Sequence, residues 1–281
     1  MRYILLLLLA TYAFAEPIHS SVTSYYESLN FKNSKQKTDG AAIGIGADIH
    51  VDDSEYRFAY EHTDTNTLQP PVKDNLHVDK LFLRYGYNFQ NGLYLNLNYM
   101  NVLHDNIVPT AHGQAYGAGI GYDINKQLYA NFTQFYTDYK NFDVYQSDIK
   151  FDYKMKIDDF KIKLTSITHI IHLEDYKTNP LSKNADSDYI STGIKFHGHY
   201  ESYHLGAAAY YGKRIFAVMD DGFKLQHHAM EFDRTFALGL GKSIGDWVVR
   251  VQYVYQRAEE IPYHNENVEV DNLKLILNYK F

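Results

Sequence analysis

The last ten residues, NLKLILNYKF at positions 272–281, decide how the rest of the chain reads. Leu273, Leu275, Leu277, Tyr279 and Phe281 fall on one parity. Asn272, Lys274, Asn278 and Lys280 fall on the other, with Ile276 the single apolar exception. Alternation of this kind places the two sets on opposite faces of a β-strand. About ten residues, apolar on one face and polar on the other, is what a tilted strand needs to cross the hydrocarbon layer of a membrane.

The same pattern recurs upstream. Tyr145, Ser147, Ile149, Phe151, Tyr153, Met155 and Ile157 alternate with Gln146, Asp148, Lys150, Asp152, Lys154 and Lys156. Leu81, Leu83, Tyr85, Tyr87 and Phe89 alternate with Lys80, Arg84 and Asn88, and Trp247, Val249, Val251, Tyr253 and Tyr255 with Arg250, Gln252 and Gln256. After residue 15 no run of apolar residues is long enough for a membrane-spanning helix. The predicted strands are 20–31, 40–51, 55–62, 78–89, 93–102, 114–124, 128–138, 145–157, 160–172, 188–197, 200–211, 230–242, 247–257 and 268–281. The outward face of the first and seventh is undecided, because Tyr25 and Tyr26, and Phe132 and Phe135, compete for it. Short turns are expected at Asp52-Asp53-Ser54, Gln90-Asn91-Gly92, Asn125-Lys126-Gln127, Asp158-Asp159, Gly198-His199 and Ser243 to Asp246. Longer polar loops are expected at 32–40, 62–77, 103–113, 139–144, 173–187, 212–229 and 258–267. The result is an all-β, transmembrane, antiparallel up-and-down β-barrel of 14 strands, or 12 if one hairpin fails, with short periplasmic turns and long extracellular loops.

The N-terminus agrees with export. Arg2, the apolar run Ile4 to Ala10 and Ala13-Phe14-Ala15 read as a signal peptide covering 1–15, with 16–281 as one barrel domain. The chain has no cysteine, which excludes disulfides and thiolate chemistry. A net charge of −7 argues against nucleic acid as a partner. No cofactor is expected. The 27 Tyr and 16 Phe against one Trp gain meaning from position: Tyr56, Tyr87, Phe89, Tyr122, Tyr153, Phe160, Phe196, Tyr211, Trp247, Tyr255, Tyr279 and Phe281 sit near strand ends on the apolar parity, as membrane-interface girdles do.

On these grounds Leu277-Asn278-Tyr279-Lys280-Phe281 resembles the C-terminal signature of bacterial outer-membrane β-barrels. The resemblance implies that Leu277, Tyr279 and Phe281 form the signal read by the barrel assembly machinery. It also implies a lipid bilayer and lipopolysaccharide as surroundings. By size and strand number the chain is similar to the small monomeric porins of the OmpG type, which implies passive diffusion of small hydrophilic solutes.

The inward parity carries Arg57, Lys80, Arg84, Lys150, Lys154, Lys156, Lys161, Lys163, Lys195, Arg250, Lys274 and Lys280, against the acids Asp48, Glu61, Asp148, Asp152, Glu231 and Asp233. Two readings stand side by side: a net basic lumen that favours anions, or cations and acids that pair across strands and keep the wall wet. Inward glycines at 44, 46, 117, 119, 121, 193, 206, 239 and 241 are expected to leave space or permit curvature. Arg234, on the apolar parity, belongs at the outer interface or beyond a bulge, a lipopolysaccharide phosphate being the less favoured partner. His62, His77, His104, His112, His172, His227, His228 and His264 read as solvated loop residues, with metal capture less favoured and a pH-sensitive lid a further possibility. Asp220-Asp221 and Asp52-Asp53 read as turn formers. A plugged or hydrophobic-solute transporter, a lipid-modifying enzyme and a surface adhesin are the alternatives. Against the enzyme, Ser202 and His204 share a face but lack a third partner.

Overall fold

A computed structural model describes residues 19–69, 72–105, 110–178 and 182–281; the expected signal peptide lies outside them. Fourteen antiparallel strands close into a barrel. They are β1 (His19–Lys32), β2 (Lys37–Val51), β3 (Ser54–Thr67), β4 (Leu76–Asn88), β5 (Leu93–Asp105), β6 (Gln114–Asp123) and β7 (Leu128–Tyr139). The second half holds β8 (Phe142–Ile157), β9 (Phe160–Glu174), β10 (Asp188–Tyr200), β11 (Tyr203–Arg214), β14 (Met230–Ile244), β15 (Trp247–Glu260) and β16 (Asn265–Lys280). Between β11 and β14 a small hairpin, β12 (Val218–Met219) and β13 (Lys224–Leu225), forms a separate two-stranded sheet. Each barrel strand pairs with its sequence neighbour, and β1 closes on β16 through a register running from Ser21 opposite Lys280 to Lys32 opposite Glu269. Closure pairs the backbone groups that an open sheet edge would leave bare in lipid.

Register settles the faces that sequence left open. Tyr26 lies opposite Leu275 and is exposed on the outside, so Tyr25, opposite Ile276, points into the lumen. Phe132 is outward and Phe135 is buried inside. The apolar exterior is bounded by two aromatic belts. Trp247 packs on Tyr279 and Tyr279 on Phe281 at the end that carries the short turns. At the other end the pairs Tyr99–Tyr116, Tyr136–Tyr145 and Tyr211–Phe236 recur across neighbouring strands. There the hydroxyls of Tyr60 and Tyr253 donate to Asp79 and Asp271, each at 2.5 Å. An amphipathic ring with its polar tip on a carboxylate suits the boundary between hydrocarbon and water.

Two expectations about connections need correction. The β10–β11 turn is Glu201-Ser202 rather than Gly198-His199, because Gly198 and His199 remain in the ladder opposite Leu205 and His204, and Glu201 takes the positive φ of 51°. The connections expected as long loops at 32–40, 139–144 and 258–267 are short, because the strands run on past the membrane. Lys140-Asn141 is a tight turn flanked by the stacked rings of Tyr139 and Phe142, 4.8 Å apart. The polar residues Asp138 and Asp143 conceal a continuing alternation whose inward members, Tyr139, Phe142 and Val144, are buried.

Among the described residues, register shifts occur only in the half of the barrel away from the short turns, at Lys37/Gly40, Asp79/Lys80, Tyr211/Arg214, Phe232/Arg234 and Ala258/Glu260. Such bulges re-aim side chains without ending the sheet. Here they keep Arg234 outward, paired in register with Arg257 and with Asp233 between them at 3.3 and 3.5 Å, while Arg214 and Phe232 turn inward. Three apolar clusters fill this half of the interior: one around Tyr139, Phe142 and Phe216; one around Phe82, Met100 and Val218; and one around Met230, Phe232 and Val268.

Candidate functional site

Residues 215–229 were expected as an extracellular loop. They fold into the barrel. The run Ile215-Phe216-Ala217-Val218-Met219 is wholly buried, Phe216 lying 4.8 Å from the Phe142 ring and 5.7 Å from that of Tyr139. Such a segment gains by leaving water for the apolar upper lumen. Gln146 on β8 then satisfies the backbone of Val218 on both sides: its Nε2 donates to the carbonyl at 2.7 Å, and its Oε1 accepts from the N–H at 2.9 Å. Gln146 is itself held by Asp148, which also contacts Nδ1 of His169 at 2.7 Å.

The tip of the loop carries the charges. Asp220 meets Lys195 at 3.1 Å, Asp221 meets Lys150 at 2.7 Å, and Arg84 donates to the Asp221 carbonyl at 3.2 Å. Asp220 and Asp221 are therefore anchors rather than simple turn formers, although both do have positive φ. Gly222, at φ 92°, presses on Asn98 of the wall, where a side chain would collide. Lys195 holds the Asp220 carboxyl below its ordinary range. For Asp221, burial acts upward, but Lys150 and Arg84 outweigh it and the carboxyl is again lowered. Burial works against charge on Lys224, yet Glu27 and Asp220 keep its ammonium above the usual lysine range.

Below this roof lies a cavity of about 730 Å³. Among the described residues its wall carries eight bases, Arg57, Lys150, Lys163, Lys195, Arg214, Lys224, Arg250 and Lys274, and six acids, Glu27, Asp48, Glu61, Asp152, Asp220 and Asp221. Most charges pair, as the cross-strand reading expected. Arg57 meets Asp48 at 3.0 Å, Lys163 meets Asp152 at 3.1 Å and Lys274 meets Glu27 at 3.3 Å. The surplus is basic.

Of the twelve inward basic residues read from the sequence, Arg57, Lys150, Lys163, Lys195, Arg250 and Lys274 line this cavity. Lys80 is buried against Glu61 at 2.6 Å. Arg84 borders a smaller recess with Lys150 and Asp221. Lys154 and Lys161 occupy inward positions next to the Asp158-Asp159 turn. Leu277, Tyr279 and Phe281 are on the outer face, and the Phe281 N–H closes on the Ser20 carbonyl at 2.9 Å.

Several other readings change. Glu231 and Asp233 do not line the cavity: Glu231 pairs with Lys213 at 2.6 Å, and Asp233 sits in the bulge beside Arg234. The inward glycines mostly leave no void, because the Tyr25 ring covers Gly44, Phe135 covers Gly117, Tyr129 covers Gly121 and Tyr210 covers Gly193; above Gly206, by contrast, there is open space. His227 and His228 are not solvated. Inside the barrel His227 is buried and His228 half-buried, where desolvation and the nearby Lys80 and Lys37 push both well below the ordinary histidine range, and Nδ1 of His228 lies 2.7 Å from Lys37 Nζ. His62, His77 and His172 do stay near water, on Asp79, Asp64 and Asp188. Among the described residues no group of three or more potential ligands is arranged to hold a metal ion. Ser202 is in a turn, and Nε2 of His204 instead contacts Ser243 Oγ at 2.8 Å.

Sequence reasoning missed Glu27, Arg214, Lys224 and the tucked loop. Glu27 lies on the strand whose facing was undecided. The five-residue apolar run at 215–219 was the available sign that this loop does not stay in water.

No protein-family model matches the sequence, and no curated protein does. Among solved structures, the barrel is similar to a bacterial polysaccharide outer membrane secretin, with a TM-score of 0.59 at 7% identity, covering 93% of this chain and 98% of that one. It is also similar to the Acinetobacter baumannii outer membrane protein Omp33, with a TM-score of 0.52 at 12% identity, covering 94% and 99%. The chain has the fold of an outer-membrane porin-like β-barrel.

Proposed function

We propose that this protein is exported to the outer membrane and is a channel for passive diffusion of small hydrophilic solutes, with a modest preference for anions. One observation carries the reading: a charged cavity of about 730 Å³ lies inside a closed barrel, beneath a roof made by the chain's own loop. Pore-lining charge selects ions by local potential, and an infolded segment sets the width of the passage. The excess of bases over acids on the wall gives the preference its sign, while the many ion pairs keep it small. The charged wall disfavours a hydrophobic-solute path. His204 beside Ser243, among basic neighbours and without a carboxylate partner among the described residues, disfavours an acyl-transfer enzyme.

A second reading, a barrel plugged at rest, is favoured by the apolar clusters around Phe216 and Val218. Refolded protein in planar bilayers separates the two. The channel reading expects stable ohmic steps and a reversal potential of anionic sign under a salt gradient. Silence from the intact barrel, with conductance appearing after 217–226 is replaced by a short Gly-Ser linker, supports the plug. Silence from both sinks the channel. The proposal includes Leu277, Tyr279 and Phe281 as the assembly signal; unimpaired membrane assembly after removal of Phe281 would count against it.

A further inference from the structure

From the row of Tyr210, Thr235 and Gln256 down to the rim with the short turns, the inward positions of β10, β11, β14, β15 and β16 hold no carboxylate. Register places two rows across this arc. His197 lies opposite Gly206, Gly206 opposite Gly239, and Gly239 opposite Gln252. One step nearer the rim, His199 lies opposite His204, His204 opposite Gly241, and Gly241 opposite Arg250. The His197 and His204 rings are 6.0 Å apart, and Arg250 acts electrostatically on both.

These donors have space in front of them. A side chain built on Gly206 would meet nothing within 4 Å, and one on Gly239 would make only ordinary contacts from 3.5 Å outward. Ala208 and Ala237 continue the small-residue floor above. The guanidinium of Arg250 makes no ion pair among the described residues, and its Nε is buried without a hydrogen-bond partner. At the top of the same wall Arg214, 1% exposed, contacts Thr235 through Nη2 but leaves Nε and Nη1 unmatched. The carboxylates that line the same cavity are already engaged, Asp220 by Lys195, Asp221 by Lys150, Asp152 by Lys163, Glu27 by Lys274, Asp48 by Arg57 and Glu61 by Lys80. A guanidinium beside imidazole ring nitrogens, without an internal counter-charge, complements an oxyanion, which accepts several hydrogen bonds at once, the one from Arg250 being charge-assisted.

We propose that this cradle binds the carboxylate or phosphate group of a solute, with Arg250, His197 and His204 as donors over the Gly206–Gly239 floor. The site deepens the anion preference inferred above and rests on that reading for its role in transport. The test is titration of the refolded full-length barrel in detergent, by calorimetry, with inorganic phosphate and separately with acetate. Single-channel chloride current is recorded in parallel with added phosphate. Saturable binding of either anion is expected, the tighter one identifying the group the site prefers. Arg250→Gln should weaken it about tenfold, the worth of one charge-assisted contact. Gly206→Val removes no charge and fills only open space, and it should weaken binding by a comparable factor. Unchanged affinity in both variants, or no saturable binding to the wild type, overturns the site. A conducting barrel without saturable binding loses the site and keeps the channel, whereas saturable binding by a silent barrel keeps the site and removes the channel.

Discussion

On the arc of the lumen formed by β1 to β4, inward charge is spent on holding the wall together. Lys80 and Glu61 face each other with side chains 9% and 15% exposed, and Glu61 also accepts from the Tyr25 hydroxyl at 2.5 Å. On the arc formed by β10, β11, β14 and β15, Arg250, His197 and His204 face open space with no acid among them. Both arcs follow the same alternation and bear similar residue types. What separates them is the cross-strand register, which decides whether a base lands opposite an acid or opposite a glycine. A cation is structural on one side of the barrel and available to a solute on the other.

The largest expected effect tests the paired arc. Glu61→Gln leaves Lys80 buried without its counter-charge, which typically costs about 3–5 kcal/mol. The urea midpoint of the refolded barrel should fall accordingly; an unchanged midpoint would mean that water already compensates Lys80 and that the two arcs do not differ in kind.

Next is the loop that roofs both arcs. Gln146→Leu removes the bonds to the Val218 N–H and carbonyl, leaving buried polar groups unmade at about 1–3 kcal/mol each. Hydrogen exchange over 215–229 should accelerate and single-channel noise rise, with the barrel's own unfolding little changed. If exchange stays slow, apolar packing around Phe216 alone seats the loop.

A smaller effect is expected from pH. The pKa values of His227 and His228 are depressed in the folded state, so the seated loop is stabilised by their neutral forms. That stabilisation is complete above the ordinary histidine value of 6.5 and is lost as pH falls below it. Beside Lys37 and Lys80, the protonated rings would add cations to a buried site whose nearby acid, Glu61, is already engaged. Conductance recorded at pH 7.5 and pH 5 should show more frequent opening at the lower value; identical records would sink this role.

Least perturbing to the fold is Arg250→Gln. With no ion pair to break, stability should shift by no more than about 0.5 kcal/mol. The reversal potential should nevertheless move toward cations. A loss of stability like that of Glu61→Gln would mean that Arg250 is structural after all, and the contrast between the arcs would fail.

Much of this was readable in advance, for identifiable reasons. Period 2 set the inward parity of Arg57, Lys150, Lys195 and Arg250 correctly, because one face of each strand meets lipid and admits no charge at that depth. Strand ends were harder. At Asp138 and Asp143 the outward positions have risen above the hydrocarbon, and polar residues there look like a loop although the ladder continues. Glu27 was missed because Tyr25 and Tyr26 give two plausible outward faces, and only pairing with Leu275 and Ile276 distinguishes them.

Alternation between lipid and water is a local property, written residue by residue along each strand, and it sufficed for the membrane-type β-barrel, its 14 strands and the basic bias of its interior. Which acid meets which base depends on residues far apart in the chain: Lys274 finds Glu27 only because β16 closes on β1, and Asp221 reaches Lys150 only because its loop turns inward. Pairing, the roof over the cavity and the unpaired cradle beneath it were therefore decided by tertiary structure, since electrostatic and packing energies depend on distance in space rather than separation in sequence.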